Sequence, residues 1–323
     1  MIQHRKIKHL SKPVSRLIMG TMILDHSIPE KSGKLLDDVF AAGINTFDSA
    51  AVYGTESEQT LGAWVNSRGI REQVVIITKG AHHNAFRKRV TPYDIYADCH
   101  DSLAKTGLDY IDIYLLHRDD PTQPVGPVVE SLNRLYEAGI IKCFGGSNWT
   151  WDRIEAANEY ACKYNLMPFS ASSPNYSLAV QVDNPWGDGC VTLSGDNNEQ
   201  ERRFYARTGM PILAYSSLGR GFLSGLIQSD RPQDAAQLLD PAAQRGYMYP
   251  ENFERLRRAE VLSARYEVSV PQIATAWLMH QPLCVYAIVG AQSGKEMQEN
   301  IDALDINISP EELCWLNLET DEI

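Results

Sequence analysis

The sequence lacks long apolar runs, paired-cysteine spacing, an excess of basic charge and a dinucleotide glycine fingerprint, and each absence removes a class of protein. The longest apolar stretches are strand-sized, so nothing reads as a membrane span. Lysine and arginine number 30 against 41 aspartates and glutamates, a net charge of −11, with the basic residues scattered. That balance argues against nucleic acid or an anionic membrane surface as partner. The six cysteines (Cys99, Cys143, Cys162, Cys190, Cys284, Cys314) form no C-x-x-C and keep no regular interval. They read as reduced, mostly buried thiols of a cytoplasmic protein rather than a disulfide framework. Met1 to Lys12 is polar and basic without an apolar core, so no secretory signal is expected. Gly219-Arg220-Gly221-Phe222-Leu223-Ser224 comes nearest to the G-x-G-x-x-G turn of a doubly wound fold, and lacks its last glycine.

What is present is an alternation. Leu17 to Met19, Ile44 to Asp48, Val74 to Thr78, Ile111 to Leu116, residues 141–145, Pro168 to Ala171, Ile212 to Tyr215 and Leu283 to Val289 read as short buried strands. Between them lie segments with apolar residues at helical spacing, such as Lys31–Ala42 with Leu35, Leu36, Val39 and Phe40. Pro271–His280 adds a proline in its first turn, and Gly139 stops the helix that starts at Val125. Strands alternating with helices imply a parallel sheet with right-handed crossovers, and eight such units close on themselves. The sequence therefore predicts a single (β/α)8 barrel over residues 1–323, with a small polar hairpin at 2–12. Two segments, 177–198 after the sixth strand and 222–250 after the seventh, are too long for plain connections and read as long loops.

Three consecutive strands end in ionisable residues: Asp48, Lys79 and His117. Tyr53 follows Asp48 by five positions, across a turn of small residues. In a parallel barrel all four converge at the carboxyl face, where such folds keep their chemistry. Singly, each has a commonplace role: a cap, a core ring, a solvated lysine, a strand-end histidine. Together they suit proton delivery to a carbonyl oxygen. A phenol titrates near ~10, a neighbouring ammonium favours the phenolate, and a buried carboxylate keeps that ammonium charged. His117 can orient the carbonyl or share in proton transfer.

These residues carry a resemblance to the aldo-keto reductases. It rests on Asp48 and Tyr53 in "FDSAAVYG", Lys79 in "VVIITKG", His117 in "IDIYLLH", "GGSN" at Gly145 to Asn148, "AYSSLGRGFLSG" from Ala214 and "ENIDAL" from Glu299. The resemblance implies that Asp48, Tyr53, Lys79 and His117 form a catalytic tetrad working with NADP(H) or NAD(H). It assigns Ser147, Asn148 and Ser173 to the nicotinamide carboxamide and Tyr215 to stacking on the ring. Ser216, Leu218, Arg220 and Gly221 would follow the pyrophosphate, and Glu299 and Asn300 the adenine. Gly20, Thr21, Gly290 and Gln292 complete the expected cofactor contacts.

Ser173 stands where many relatives have glutamine, and after the last strand Lys295 is the only cation, with Glu296 beside it. NADP preference is therefore expected to be weak. Met22, His82, Trp149 and Trp186 are candidate substrate contacts, with Trp151 and His83 near them. No metal site is expected, because adjacent histidines diverge and lack a third ligand. Arg118-Asp119-Asp120 reads as a solvated loop. The expected activity interconverts a small aldehyde or ketone with its alcohol. The alternatives are oxidation of a sugar or polyol and, since the chain also resembles potassium-channel beta subunits, a cofactor-sensing regulatory subunit.

Overall fold

The computed structural model describes residues 2–24 and 27–323, with Thr55 described for its backbone alone. A two-stranded antiparallel ribbon, β1 (His4–Arg5) and β2 (Val14–Ser15), precedes the main fold. It is the expected hairpin, although its return strand lies beyond Lys12. Eight parallel strands then close a barrel: β3 (Leu17–Gly20), β4 (Thr46–Asp48), β5 (Val75–Gly80), β6 (Ile111–Leu116), β7 (Ile141–Ser147), β8 (Ala171–Ser173), β9 (Ile212–Ala214) and β10 (Val285–Val289). Neighbours follow sequence order, and β10 closes the ring by setting Ala287 opposite Leu17. Every residue of β5 and β6 is buried, as expected of strands covered on both faces.

The helices are α1 (Pro29–Ala41), α2 (Thr55–Arg68), α3 (Pro92–Thr106), α4 (Val125–Glu137), α5 (Trp151–Lys163), α6 (Glu199–Thr208), α7 (Pro232–Leu238), α8 (Pro241–Tyr247), α9 (Pro250–Tyr266), α10 (Val270–Met279), α11 (Gly294–Asp302) and α12 (Pro310–Leu316). Their ends follow local chemistry. The Thr91 hydroxyl accepts from the Asp94 N–H at the start of α3, Pro92 sits in its first turn, and Gly107 ends it in the left-handed region.

Two expectations change. The sixth barrel strand is Ala171–Ser173 rather than Pro168 to Ala171, because Gly145 of β7 pairs with Ala171. Segment 222–250 is not one long loop: it folds α7 and α8, each opened by a proline. Segment 177–198 has less regular structure, a single 3₁₀ turn at Asp196–Asn198. Its Thr192 forms an isolated bridge with Asn175, which in turn bridges to Tyr215. It also docks on α8, where Val182 N–H donates to the Gly246 carbonyl at 2.9 Å.

Candidate active site

Strand order alone brings the four ionisable residues together. Asp48 is the last residue of β4, Lys79 the next to last of β5, and His117 follows β6. Tyr53 closes a one-turn 3₁₀ helix (Ala51–Tyr53) whose Tyr53 N–H donates to the Ala50 carbonyl at 3.0 Å. Gly54, with φ of 92°, then turns the chain into α2.

Lys79 is only 2 % exposed, so its charge needs compensation from the protein. Its ammonium donates to both Asp48 oxygens, at 2.6 and 2.7 Å, and to the Ser49 carbonyl at 3.0 Å. Burial, the largest single influence, favours the neutral amine, but the charges and hydrogen bonds of Asp48 and Tyr53 together outweigh it and the lysine's pKa is raised. Lys79 Nζ lies 3.5 Å from the Tyr53 hydroxyl, at the outer edge of hydrogen bonding. Burial raises the Tyr53 pKa, and the nearby ammonium opposes this without reversing it. The net depression expected from the sequence is therefore absent, and the phenol stays protonated at neutral pH. His117 is the opposite case: burial, then the Lys79 charge, push its pKa well below the ordinary value, so the ring is neutral. Its Nδ1 is buried without a partner among the described residues. Its ring stands edge-on to Tyr53, with centroids 6.0 Å apart.

These side chains border a cleft of about 570 Å³, within the range of small-molecule sites. Gly20, Met22, His82, Ser147, Asn148, Trp186, Tyr215, Ser216, Leu218, Arg220, Gly221 and Gly290 are among the residues that line it. The turn after β9 suits an anion. Ser216, Gly219, Arg220 and Gly221 have φ of 49°, 58°, 52° and 95°. The N–H groups of Ser216, Ser217 and Leu218 find no backbone acceptor among the described residues. Successive free N–H groups in a turn of this kind form a concave anion site. Arg220 supports it, paired with Asp240 at 2.9 Å and 5.0 Å from the Trp186 ring. A dinucleotide's pyrophosphate fits this donor set, with Gly290 at the end of the neighbouring β10, where an added Cβ would meet nothing within 4 Å.

Asn148 is the hub of the site. With φ of 57°, a conformation asparagine tolerates, its Oδ1 accepts from the Tyr215 hydroxyl at 2.7 Å and the Val191 N–H at 3.1 Å. It thus ties β7, the turn after β9 and segment 177–198 together.

Several expected contacts sit elsewhere. Trp149 is fully buried, packed on Phe169 with its indole N–H donating to the Arg118 carbonyl, so it cannot wall the cleft. The reason lies just before it: a Cβ on Gly146 would come within 2.6 Å of that ring. Trp151 opens α5, with its N–H directed at Glu201. The Thr21 hydroxyl donates to the Asp48 carbonyl at 3.0 Å and so braces the end of β4. Ser173 spends its hydroxyl on the Leu213 carbonyl at 2.7 Å inside the barrel wall. Gln292, Glu299 and Asn300 lie outside the cleft lining, with Asn300 reaching back toward the Gly290 carbonyl at 3.5 Å. The Arg118–Asp120 segment is not solvated: Arg118 and Asp120 are buried, and Arg118 lines the cleft. Sequence reasoning also missed Ile23 and Val52, exposed apolar residues at the cleft mouth with no pattern to mark them.

Among the described residues no helix is long and apolar enough to cross a membrane, and no cluster of side chains could hold a metal ion. The chain is 28% identical to an aryl-alcohol dehydrogenase [NADP(+)] of Phanerodontia chrysosporium, over 93% of this chain and 77% of that protein. It is 27% identical to the NADH-specific methylglyoxal reductase of Escherichia coli (strain K12), over 92% of this chain and 91% of that one. A thermostable aldo-keto reductase crystallised with the inhibitor epalrestat superposes with a TM-score of 0.74 at 21% identity, covering 99% of this chain and 100% of that chain. The family model described as "Aldo/keto reductase family" matches residues 16–316. The chain thus belongs to the aldo/keto reductase family, NAD(P)-dependent oxidoreductases acting on small carbonyl compounds.

Proposed function

We propose that this protein interconverts an aldehyde or ketone with its alcohol, with Tyr53 as the proton-transferring group. In reduction, bound NAD(P)H supplies the hydride to the carbonyl carbon. The C=O π pair becomes the alkoxide, Tyr53 gives it a proton, and solvent restores the phenol. In oxidation the phenolate takes that proton back. The observation carrying this reading is the unbroken line from Asp48 through Lys79 to the Tyr53 hydroxyl at the wall of an open cleft. Lys79 stabilises negative charge on the phenol oxygen as its proton leaves. Neutral His117 is suited to donate a hydrogen bond to the substrate oxygen rather than a proton. The exposed side chains of Met22, Ile23 and Val52 at the mouth favour carbonyl compounds with an apolar body over polyols. A panel of aldehydes, keto sugars and polyols, each with NADH, NADPH and the oxidised forms, tests the reading. Saturable multiple turnover of at least one aldehyde is expected. A tightly retained cofactor with no turnover on any of them would favour the sensing role.

The turn after β10, assigned by resemblance to the 2′-phosphate, is unfavourable to one. The Glu296 carboxylate accepts the Gln292 N–H at 2.7 Å, a donor an anion would otherwise use. Lys295 leans toward Glu299 at 3.8 Å. NAD is expected to bind more tightly than NADP in fluorescence titrations, and equal or tighter NADP binding would overturn this.

A further inference from the structure

Charge in the cleft wall is balanced everywhere but at one residue. Lys79 is matched by Asp48, and Arg220 by Asp240. Arg118, the residue after His117, lines the cleft at only 5 % exposure, yet it meets no carboxylate among the described residues. Its guanidinium donates to the Cys190 sulfur, 3.3 Å from Nη1, and to no other side chain described. The two acids that follow it are engaged elsewhere, Asp119 by Arg153 at 2.7 Å and Asp120 by Lys88 at 3.0 Å. A guanidinium carries five donors and keeps its charge at any working pH. One sulfur is a weak acceptor for it, so most of its donor capacity and all of its charge await a partner.

His82 stands on the same wall, its ring centroid 4.9 Å from that of His117. Its Nδ1 lies 2.7 Å from the His83 carbonyl, and a carbonyl can only accept, so Nδ1 bears the hydrogen. Burial chiefly, with Arg118 adding to it, lowers the His82 pKa, and the neutral ring presents Nε2 as an acceptor. A fixed positive fork beside a hydrogen-bond acceptor is the complement of an anion flanked by a hydroxyl.

We propose that Arg118 is a specificity-determining residue: the carbonyl substrate carries an anionic group, carboxylate or phosphate, that seats on its guanidinium, with His82 accepting from a neighbouring hydroxyl. The fork geometry of arginine matches both groups by paired hydrogen bonds. This rests on the cleft being the carbonyl-reducing site, and the test separates the two ideas.

The kcat/KM values of 4-carboxybenzaldehyde and its methyl ester, and of glyceraldehyde 3-phosphate and glyceraldehyde, are compared in the wild type, R118Q, R118K and C190S. The wild type should favour at least one anion over its neutral partner tenfold or more, and the pair that shows it identifies the group. R118Q should shrink that ratio at least tenfold, R118K should retain the part due to charge without the fork, and C190S should keep most of it. A ratio unchanged in R118Q, or neutral partners preferred in both wild-type pairs, overturns the proposal. So does loss of the ratio in C190S, which would mean that Arg118 only anchors segment 177–198. If no carbonyl compound turns over, the reductase reading fails and the subsite is read by calorimetric titration of benzoate and inorganic phosphate. Binding of either to the wild type, weakened tenfold or more in R118Q, supports the subsite, and no binding to the wild type overturns it.

Discussion

Tyr53→Phe is expected to cost between about 10² and 10⁴ in turnover, the range for losing a positioned acid. Dinucleotide should still bind, because the anion-binding turn after β9 does not involve this ring. The phenyl ring keeps the edge contact to His117, and removing the hydroxyl gives up only a long interaction with Lys79 at 3.5 Å. The effect should therefore fall on kcat and leave the melting temperature near wild type. The pH profile follows from the same geometry. A phenol whose pKa burial has raised stays protonated from neutral into mildly alkaline solution. Reduction should thus hold up as pH rises, whereas oxidation, which begins from the phenolate, should climb. His117 is neutral well below its usual range, so it should add no inflection near pH 6 to 7. Near-normal turnover in the variant would refute the role given to Tyr53.

Lys79→Met is expected to lower both stability and activity. Asp48 and Lys79 are each about 2 % exposed, so removing the ammonium strands a carboxylate with no other cation in contact among the described residues. Breaking a buried pair in this way typically costs about 3–5 kcal/mol. Adding Asp48→Asn should recover part of that stability without recovering turnover, since the neutral amide removes the stranded charge but cannot assist the phenol. Urea melts of the two variants give the comparison. A single variant as stable as the wild type would mean that Asp48 is protonated in the fold, and the ion-pair description would fall.

The barrel was legible because it depends on short, local patterns, and the same patterns set Asp48, Lys79 and His117 at or just past strand ends. Ile111 to Leu116 is apolar, brief and followed by His117, and the structure places it as β6 without change. The short helices were harder to see. α7, α8 and α12 have seven residues each, under two helical turns, too few for an apolar stripe to repeat convincingly. Their caps were nonetheless present: Asp240 before Pro241, and Ser309 before Pro310 with Glu312 completing a capping box. Trp149 was misplaced because a tryptophan next to a binding motif looks exposed, while the small residue that receives its ring, Gly146, had been read only as part of that motif. Arg118 was misplaced for a different reason. A run of three charged residues reads as solvated, and only the fold shows Arg118 buried at the cleft while Asp119 and Asp120 reach Arg153 and Lys88.

The barrel wall is not stitched evenly. β5, β6 and β7 run to six, six and seven residues, whereas β8 and β9 have three each and share one register pair, Ser172 with Ile212. Lys79 and His117 belong to the stiff arc, and the tie from Asn148 to Tyr215 spans the thin one. Opening free energies vary with such local bonding, so the thin arc is where the cylinder should breathe first. A dinucleotide held between the turn after β9 and Asn148 would lie along that seam like a clasp. Its binding energy would then go into closing the weakest part of the wall, and loading the enzyme would toughen the very side that admits the load.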